Sequence, residues 1–559
     1  MTMQLGRVRR LAPLIALGAW LVPILFFAIG PVVVLVVQSL GSLDAAAWKE
    51  LFGQGGPLIN TLWISSAAAL FAVVLGGPLA FLLFRTDLPA RAPLIALFTL
   101  PSAVPPFIWG MGWLLLANPR VGYLNRALGE GTLNIYGPWG IAFVMGLSGL
   151  PLVLLAGASA LRRIDPTLEE AARLCGAGPV RAVAAATLPL ALPSLLSGGV
   201  MVFLMTASAF GVPYILGVSA SPPTQVLTTR IYGYLLLGGH EHLSRAVVLS
   251  IALLMMTPVV LWVNHQLGRM GRVRLLAGKG FSPRLLPLGR GRPWFTALVV
   301  LCAVLLVILP LAAVALTSVQ RSFGATLALE NLTLQHWSGV LLNPRTSQAA
   351  VRSLVLAFGA ALLVCALGLA TALLRRSLPR LGRFVEPLAV WPYAVPGTVL
   401  AIALLVAFSR DLRFVFADRI AFVLALAHSA WMLLIAYVAK YLALGAQNSA
   451  EALAQVDPSL AEAARVSGAG PVRAFRDAVL PALRPALGAA FLLAFLVCAT
   501  EITMSVLLVP AGQDVLGTLL FELQSYADPS AAAVLACAFV ALVLVGQLGI
   551  SALQKRKAA

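Results

Sequence analysis

The chain has 559 residues, 60% hydrophobic and only 11% charged. A soluble chain of this length carries roughly a quarter charged residues, so a water-soluble globular protein is excluded and the solvent is a bilayer. The formal net charge of +19 does not point to nucleic acid, because excess Lys and Arg in a polytopic membrane protein reports topology.

Arg7, Arg9 and Arg10 precede an apolar run from Leu11 to about Val37. The run is too long for a signal peptide and no small-x-small cleavage site follows, so it reads as the first spanning helix. Twelve spans are expected, at about 11–38, 58–84, 94–117, 136–160, 192–216, 246–267, 295–317, 350–374, 386–408, 420–444, 485–509 and 531–553. Each is expected to be helical, because hydrocarbon cannot satisfy an open backbone. With the N-terminus inside, 27 of the 39 Lys and Arg fall in inner loops. This asymmetry places both termini in the cytoplasm. The outer loop from Pro510 to Ser530 contains no Lys or Arg.

The inner loop at about 161–191 has readable local chemistry. Asp165 is suited to cap a helix that begins at Pro166. Leu168, Ala171, Ala172 and Cys175 then share one face. Gly176 is suited to the left-handed turn that ends the helix, and Gly178-Pro179 to starting a second one. The Gly-, Arg- and Pro-rich stretch 268–294 reads as a cytoplasmic linker. It separates a first half, 1–267, from a second half, 295–559.

The halves repeat. Residues 170–189 read EAARLCGAGPVRAVAAATLP and residues 462–481 read EAARVSGAGPVRAFRDAVLP, an offset of 292. Asp165-Pro166 matches Asp457-Pro458 in the same register. The stretch from Pro101 to Pro105 matches Pro392 to Pro396 within one residue. Duplication of the whole half follows. Both loops are expected inside, the second at about 446–484, so the halves are parallel repeats about an axis along the membrane normal.

This pattern, E-A-A-x3-G followed by L-P, resembles the EAA loop of permeases in binding-protein-dependent ABC importers. The family usually has Ile two positions before the Leu-Pro pair, where this chain has Ala186 and Ala478. The resemblance spans the whole chain. It implies an all-α polytopic membrane protein, a type I permease with about twelve transmembrane helices in two six-helix repeats. It implies that Glu170, Ala171, Ala172 and Gly176, with Glu462, Ala463, Ala464 and Gly468, form the surface that couples to the ATPase. Two separate ATP-binding subunits and a periplasmic binding protein are the implied partners, with one copy of this chain per transporter. The implied location is the bacterial inner membrane.

No GxxxxGK[ST] loop occurs, so nothing here cradles phosphates and the chain is not expected to be an enzyme. No cofactor is expected. Leu196-Ser197-Gly198-Gly199 resembles the start of the ATPase signature but reads as helix packing. His240-Glu241-His242 reads as a solvated loop, since residues at i and i+2 share a face only on a strand and no third metal ligand is evident. The five cysteines, Cys175, Cys302, Cys365, Cys498 and Cys537, form no CxxC pair and read as small hydrophobes.

Glu501 interrupts an apolar run, and its counterpart at the same offset is Ala209. Placing a carboxylate in the bilayer costs about 2.5–3.5 kcal/mol, so such residues face a cavity or a partner. Two readings stand: Glu501 lines the translocation path, or it makes a structural ion pair or sits near the outer interface. His428 and Lys440 pose the same question, with Lys440 expected to snorkel to the cytoplasmic interface.

The cargo is expected to be iron(III). Fused permeases of this size resemble the iron(III), thiamine and aminoethylphosphonate importers. Ala209–Pro213, Leu227–Tyr232, Glu501–Leu508 and the Val-Leu-Gly-Thr at 515–518 look most like the iron(III) group. A secondary transporter driven by an ion gradient also has a 6+6 repeat, but it leaves the matched inner loops unexplained.

Overall fold

The computed structural model describes residues 25–41, 45–53, 55–165, 167–274, 285–325, 328–409, 412–416, 419–424, 426, 429–525 and 528–558. Nearly all are helical. Among the described residues, nine helices are long and apolar enough to cross a bilayer. They answer to the expected second, fourth to eighth and tenth to twelfth spans. Phe26–Ser39 is the described part of the first, and residues 11–24 lie outside the described residues.

The third and ninth spans were expected to be continuous. Each is instead a bent pair: Arg91–Ser102 with Pro106–Ala117 at 101°, and Pro379–Ala394 with Gly397–Ala407 at 103°. The cause is the proline pair at each break, Pro101 and Pro105 in the third span and Pro392 and Pro396 in the ninth. Proline lacks an N–H and pushes the residue before it out of the helical region. Val395 is extended at φ −66° and ψ 129°. Pro105 and Pro396 share one conformation, with φ −52° and −54° and ψ 137° in both.

The fifth and eleventh spans run earlier than the expected 192–216 and 485–509, as Val183–Ala207 and Val472–Ala499. Each then breaks, at Phe210 and Ile502, both with φ −112°. Within each half the two breaks pack together. A Cβ on Gly211 would lie 2.7 Å from the Phe107 ring, and one on Gly397 would lie 3.3 Å from Met504.

The tenth span, expected at 420–444, is the helix Ala430–Ala454. Before it stands an antiparallel hairpin, Leu412–Phe416 with Arg419–Leu424. The Phe-, Val- and Ile-rich sequence there favours extended backbone, so the hydropathy run covers a hairpin as well as the start of a helix. Of the expected linker, residues up to Arg274 continue the helix His240–Arg274. Residues 275–284 lie outside the described residues.

The chain divides into two compact units that differ from the sequence halves. One holds Met1–Leu43, Val340–Glu522 and Ala538–Ala559; the other holds Asp44–Gly339 and Leu523–Cys537. In the first unit, helix Gly30–Gly41 packs on Gly397–Ala407, and the rings of Phe26 and Phe27 lie 5.9 and 6.0 Å from that of Phe408. In the second, Leu309–Ser318 packs on Pro106–Ala117. A Cβ on Gly112 would fall 2.7 Å from the Pro310 carbonyl oxygen. Tyr123 shares a hydrogen bond with the Thr317 hydroxyl and donates one to Gln320 Oε1, both at 2.7 Å. Each repeat's leading helix is therefore housed with the other repeat.

Helices Pro344–Ser377 and Ala430–Ala454 cross at Gly368 and Gly445. A Cβ on Gly368 would fall 2.2 Å from the Gly445 carbonyl carbon, and one on Gly445 would fall 2.1 Å from the Val364 carbonyl oxygen. Such close approach is how helices gain packing in a solvent that offers no hydrophobic drive. Gly445→Ala is expected to lose about 1–3 kcal/mol, as overpacking does. The readout is a lower midpoint of thermal unfolding by tryptophan fluorescence in detergent. Gly233→Ala, inside helix Leu227–Leu237 where an added Cβ meets nothing within 4 Å, should not lower the midpoint.

Candidate functional site

The two matched loops fold alike. The Asp165 carboxylate accepts from the Thr167 amide at 2.9 Å, and that of Asp457 accepts from Ser459 at 2.9 Å. These caps open helices Thr167–Leu174 and Pro458–Val466. Pro166 lies outside the described residues. Gly176 and Gly468 take left-handed conformations, with φ +88° and +84°. Their turns close on orphan carbonyls: the Ala177 amide donates to Ala172 O and the Ala469 amide to Ala464 O, both at 3.0 Å. This double closure is what glycine allows after a helix. A second short helix follows in each loop, Pro179–Ala182 and Pro471–Ala474.

Each expected quartet is gathered on its own loop. Glu170, Ala171, Glu462 and Ala463 are exposed, while Ala172 and Ala464 are half-buried. Two further residues went unnoticed in the sequence. Leu174 is 90% exposed and Val466, at the same offset, is 89% exposed. Their shared offset and apolar character were the available signal.

Glu169, directly before the expected Glu170, behaves in the opposite way and is buried. Its carboxylate pairs with Arg85 Nη2 at 3.3 Å and accepts from the Thr187 hydroxyl. Arg85 is fully buried.

Glu501 lies in neither loop. It sits at the break after the eleventh span and is partly buried. Its carboxylate accepts from the amides of Met504, at 3.0 and 2.9 Å, and Ser505, at 3.1 Å. It therefore caps the short helix Thr503–Leu508. The Tyr437 and Ser505 hydroxyls are 2.9 Å apart. Lys440 does not snorkel as expected. Its helix continues to Ala454, so the residue is central rather than terminal. Its ammonium donates to the carbonyls of Tyr393, at 2.9 Å, and Val395, at the break of the ninth span. His428 lies outside the described residues.

Ser197 donates to Asn264 Oδ1 at 2.6 Å. Cβ atoms on Gly198 and Gly199 would fall 2.8 Å from Val153 and 2.5 Å from Val73, so the Ser-Gly-Gly stretch packs helices. His240 and His242 open a helix rather than lie in a loop. The His242 ring stacks on Tyr234 at 5.7 Å, and Glu241 pairs with Arg245 at 2.6 Å.

A family model described as the binding-protein-dependent transport system inner membrane component matches residues 72–270 and again 364–558. The chain belongs to this family. It is a fused, duplicated permease of the binding-protein-dependent ABC importers, and each match contains one of the loops described above. A ferric transport system permease protein, FbpB, of Actinobacillus pleuropneumoniae is 26% identical over 505 residues, covering 87% of this chain and 70% of that one. The molybdenum transport system permease protein ModB of Escherichia coli K12 is 31% identical, covering 39% of this chain and 94% of that one. A putative 2-aminoethylphosphonate transport system permease protein, PhnU, of Salmonella paratyphi A is 28% identical, covering 37% and 74%. Permeases of this family are not themselves enzymes.

The permease's second loop carries a testable pH response. The Ser459 amide and hydroxyl hydrogen-bond the Asp457 carboxyl and hold it below its ordinary value. A folded pKa below the unfolded one gives stability that is full above the unfolded value, near 3.9, and lost as pH falls through the folded one. Hydrogen exchange in residues 458–467, corrected for the intrinsic pH dependence, is expected to accelerate only below about pH 4. Asp457→Ala should exchange fast at every pH.

Proposed function

We propose that this permease carries iron(III) from a periplasmic binding protein to the cytoplasm, driven by two ATPase subunits that grip its two loops. The observation that carries the coupling half of this reading is the matched pair Leu174 and Val466, 90% and 89% exposed on loops of identical turn geometry. In this reading the partner covers both side chains. Glu170, Ala171, Ala172 and Gly176, with Glu462, Ala463, Ala464 and Gly468, surround them. In this reading both termini and both loops are cytoplasmic, as the Lys and Arg distribution implies. One copy of the chain serves each transporter because both halves are present.

Closure of the ATPase pair on ATP would draw the loops inward and turn the solute cavity from the outer to the inner face. The iron(III) assignment is supported by extent. The ferric-transport relative matches 87% of this chain, whereas the molybdenum and aminoethylphosphonate relatives match 39% and 37%. Thiamine and aminoethylphosphonate remain the alternatives. Glu501, partly buried at a helix break, is assigned to the wall of the solute path.

Three measurements bear on this. Leu174→Glu together with Val466→Glu should abolish co-purification of the ATPase subunit without lowering permease yield; full retention overturns the coupling surface. Deletion of the gene should remove uptake of radioactive iron(III) and leave uptake of thiamine and aminoethylphosphonate intact; loss of either of those instead reassigns the cargo. Glu501→Gln should reduce uptake roughly tenfold at equal expression, the scale of one lost charge-assisted contact. Unchanged uptake would leave Glu501 with the capping role alone.

A further inference from the structure

The two loops are joined to the membrane helices by different chemistry. In the first half the junction is polar. Glu169 is buried between Arg85, at the end of helix Pro57–Arg85, and Thr187, at the start of the fifth span. Nε and Nη1 of Arg85 have no hydrogen-bond partner among the described residues, so Glu169 is the acidic group that balances this buried guanidinium. The same segment is clipped by the end of the linker. The Leu286 amide donates to Arg85 O at 2.8 Å, the Asp87 amide to Leu286 O at 3.1 Å, and the Leu288 amide to Asp87 Oδ1 at 2.9 Å.

In the second half the acid and the hydroxyl of that junction are replaced, while the arginine is kept in a different setting. At the offset of 292, Glu169 becomes Ala461 and Thr187 becomes Val479. Val479 belongs to an apolar cluster with Ala372, Ala452, Leu453 and Leu483, against which Ala461 packs. Arg376, the counterpart of Arg85 at the 291 offset of that region, is exposed and donates to Leu453 O at 3.4 Å.

We infer that Glu169 is a positioning residue that locks the first coupling loop to the second span and the linker, so that the two loops transmit ATPase closure unequally. A buried ion pair with a shared hydroxyl has direction and does not slide, because separating it leaves an uncompensated charge. Apolar contacts in the second half have no preferred direction and tolerate displacement. The first loop therefore carries residues 85–88 and 286–288 with it, and the second loop moves more independently of residues 376–378.

This rests on the proposed coupling to ATPase subunits, and the test separates the two. The complete transporter in nanodiscs is compared by hydrogen exchange with and without trapping by ATP and vanadate. In the wild-type chain, trapping is expected to alter exchange in both loops, 167–177 and 459–469. It should also alter 85–88 and 286–288, but not 376–378. Glu169→Ala with Thr187→Val installs the second half's own residues. It should keep the loop response and reduce the response at 85–88 roughly tenfold, well within what losing a buried pair produces. Ala461→Glu with Val479→Thr leaves the first half untouched and should create a response at 376–378. An equal response at 85–88 in the first variant, or no gain in the second, overturns the inference. Loops that ignore trapping in the wild-type chain overturn the functional reading, and the inference falls with it.

Discussion

In hydrocarbon a backbone carbonyl or amide without a partner costs several kcal/mol, and no water is present to supply one. That constraint governs this permease more than any side-chain contact. It makes the chain helical, and it makes each interruption of a helix a debt that some other group must settle. The prolines at 101–105 and 392–396 open such interruptions, and so do the breaks at Phe210 and Ile502. In the second half charged side chains close them. Lys440 takes the carbonyls of Tyr393 and Val395, and Glu501 takes the amides of Met504 and Ser505. Each charge meets the helix end of opposite polarity. In the first half the Ala209 carbonyl is met by the Thr228 hydroxyl at 2.6 Å. Pro213 stands at the position of Ser505 and has no N–H, so one of the two amides that Glu501 takes has no counterpart in the first half.

What the sequence revealed was local. The loop caps, the left-handed glycines and the second short helix depend on residues within a few positions of one another, and Asp457, Gly468 and Pro471 act where their types imply. The all-α class and the duplication were readable for the same reason, because hydropathy and repeated text need no tertiary information. The prolines of the third and ninth spans were visible too. Their missing N–H groups imply a broken helix as directly as their spacing marks the repeat.

The rest depended on partners far away in sequence. Glu169 and Glu170 are adjacent and chemically identical, and only Arg85, 84 positions earlier, separates a buried strut from an exposed surface residue. Lys440 was placed near a helix end because hydropathy set the span's limits, whereas the helix extends beyond them. The hairpin before Ala430 competed with a helical reading of the same apolar letters. The compact units were illegible, since nothing in a helix's own sequence states which neighbour it will join.

That last point reaches into biogenesis. Helix Gly30–Gly41 enters the bilayer early, yet the surface it rests on, Gly397–Ala407, is synthesised several hundred residues later. Until then the surface it packs on does not exist. The first half therefore cannot mature as the ribosome releases it, as sequential domains usually do. Completion waits for the second half, so the order in which the helices are made and the order in which they pack differ.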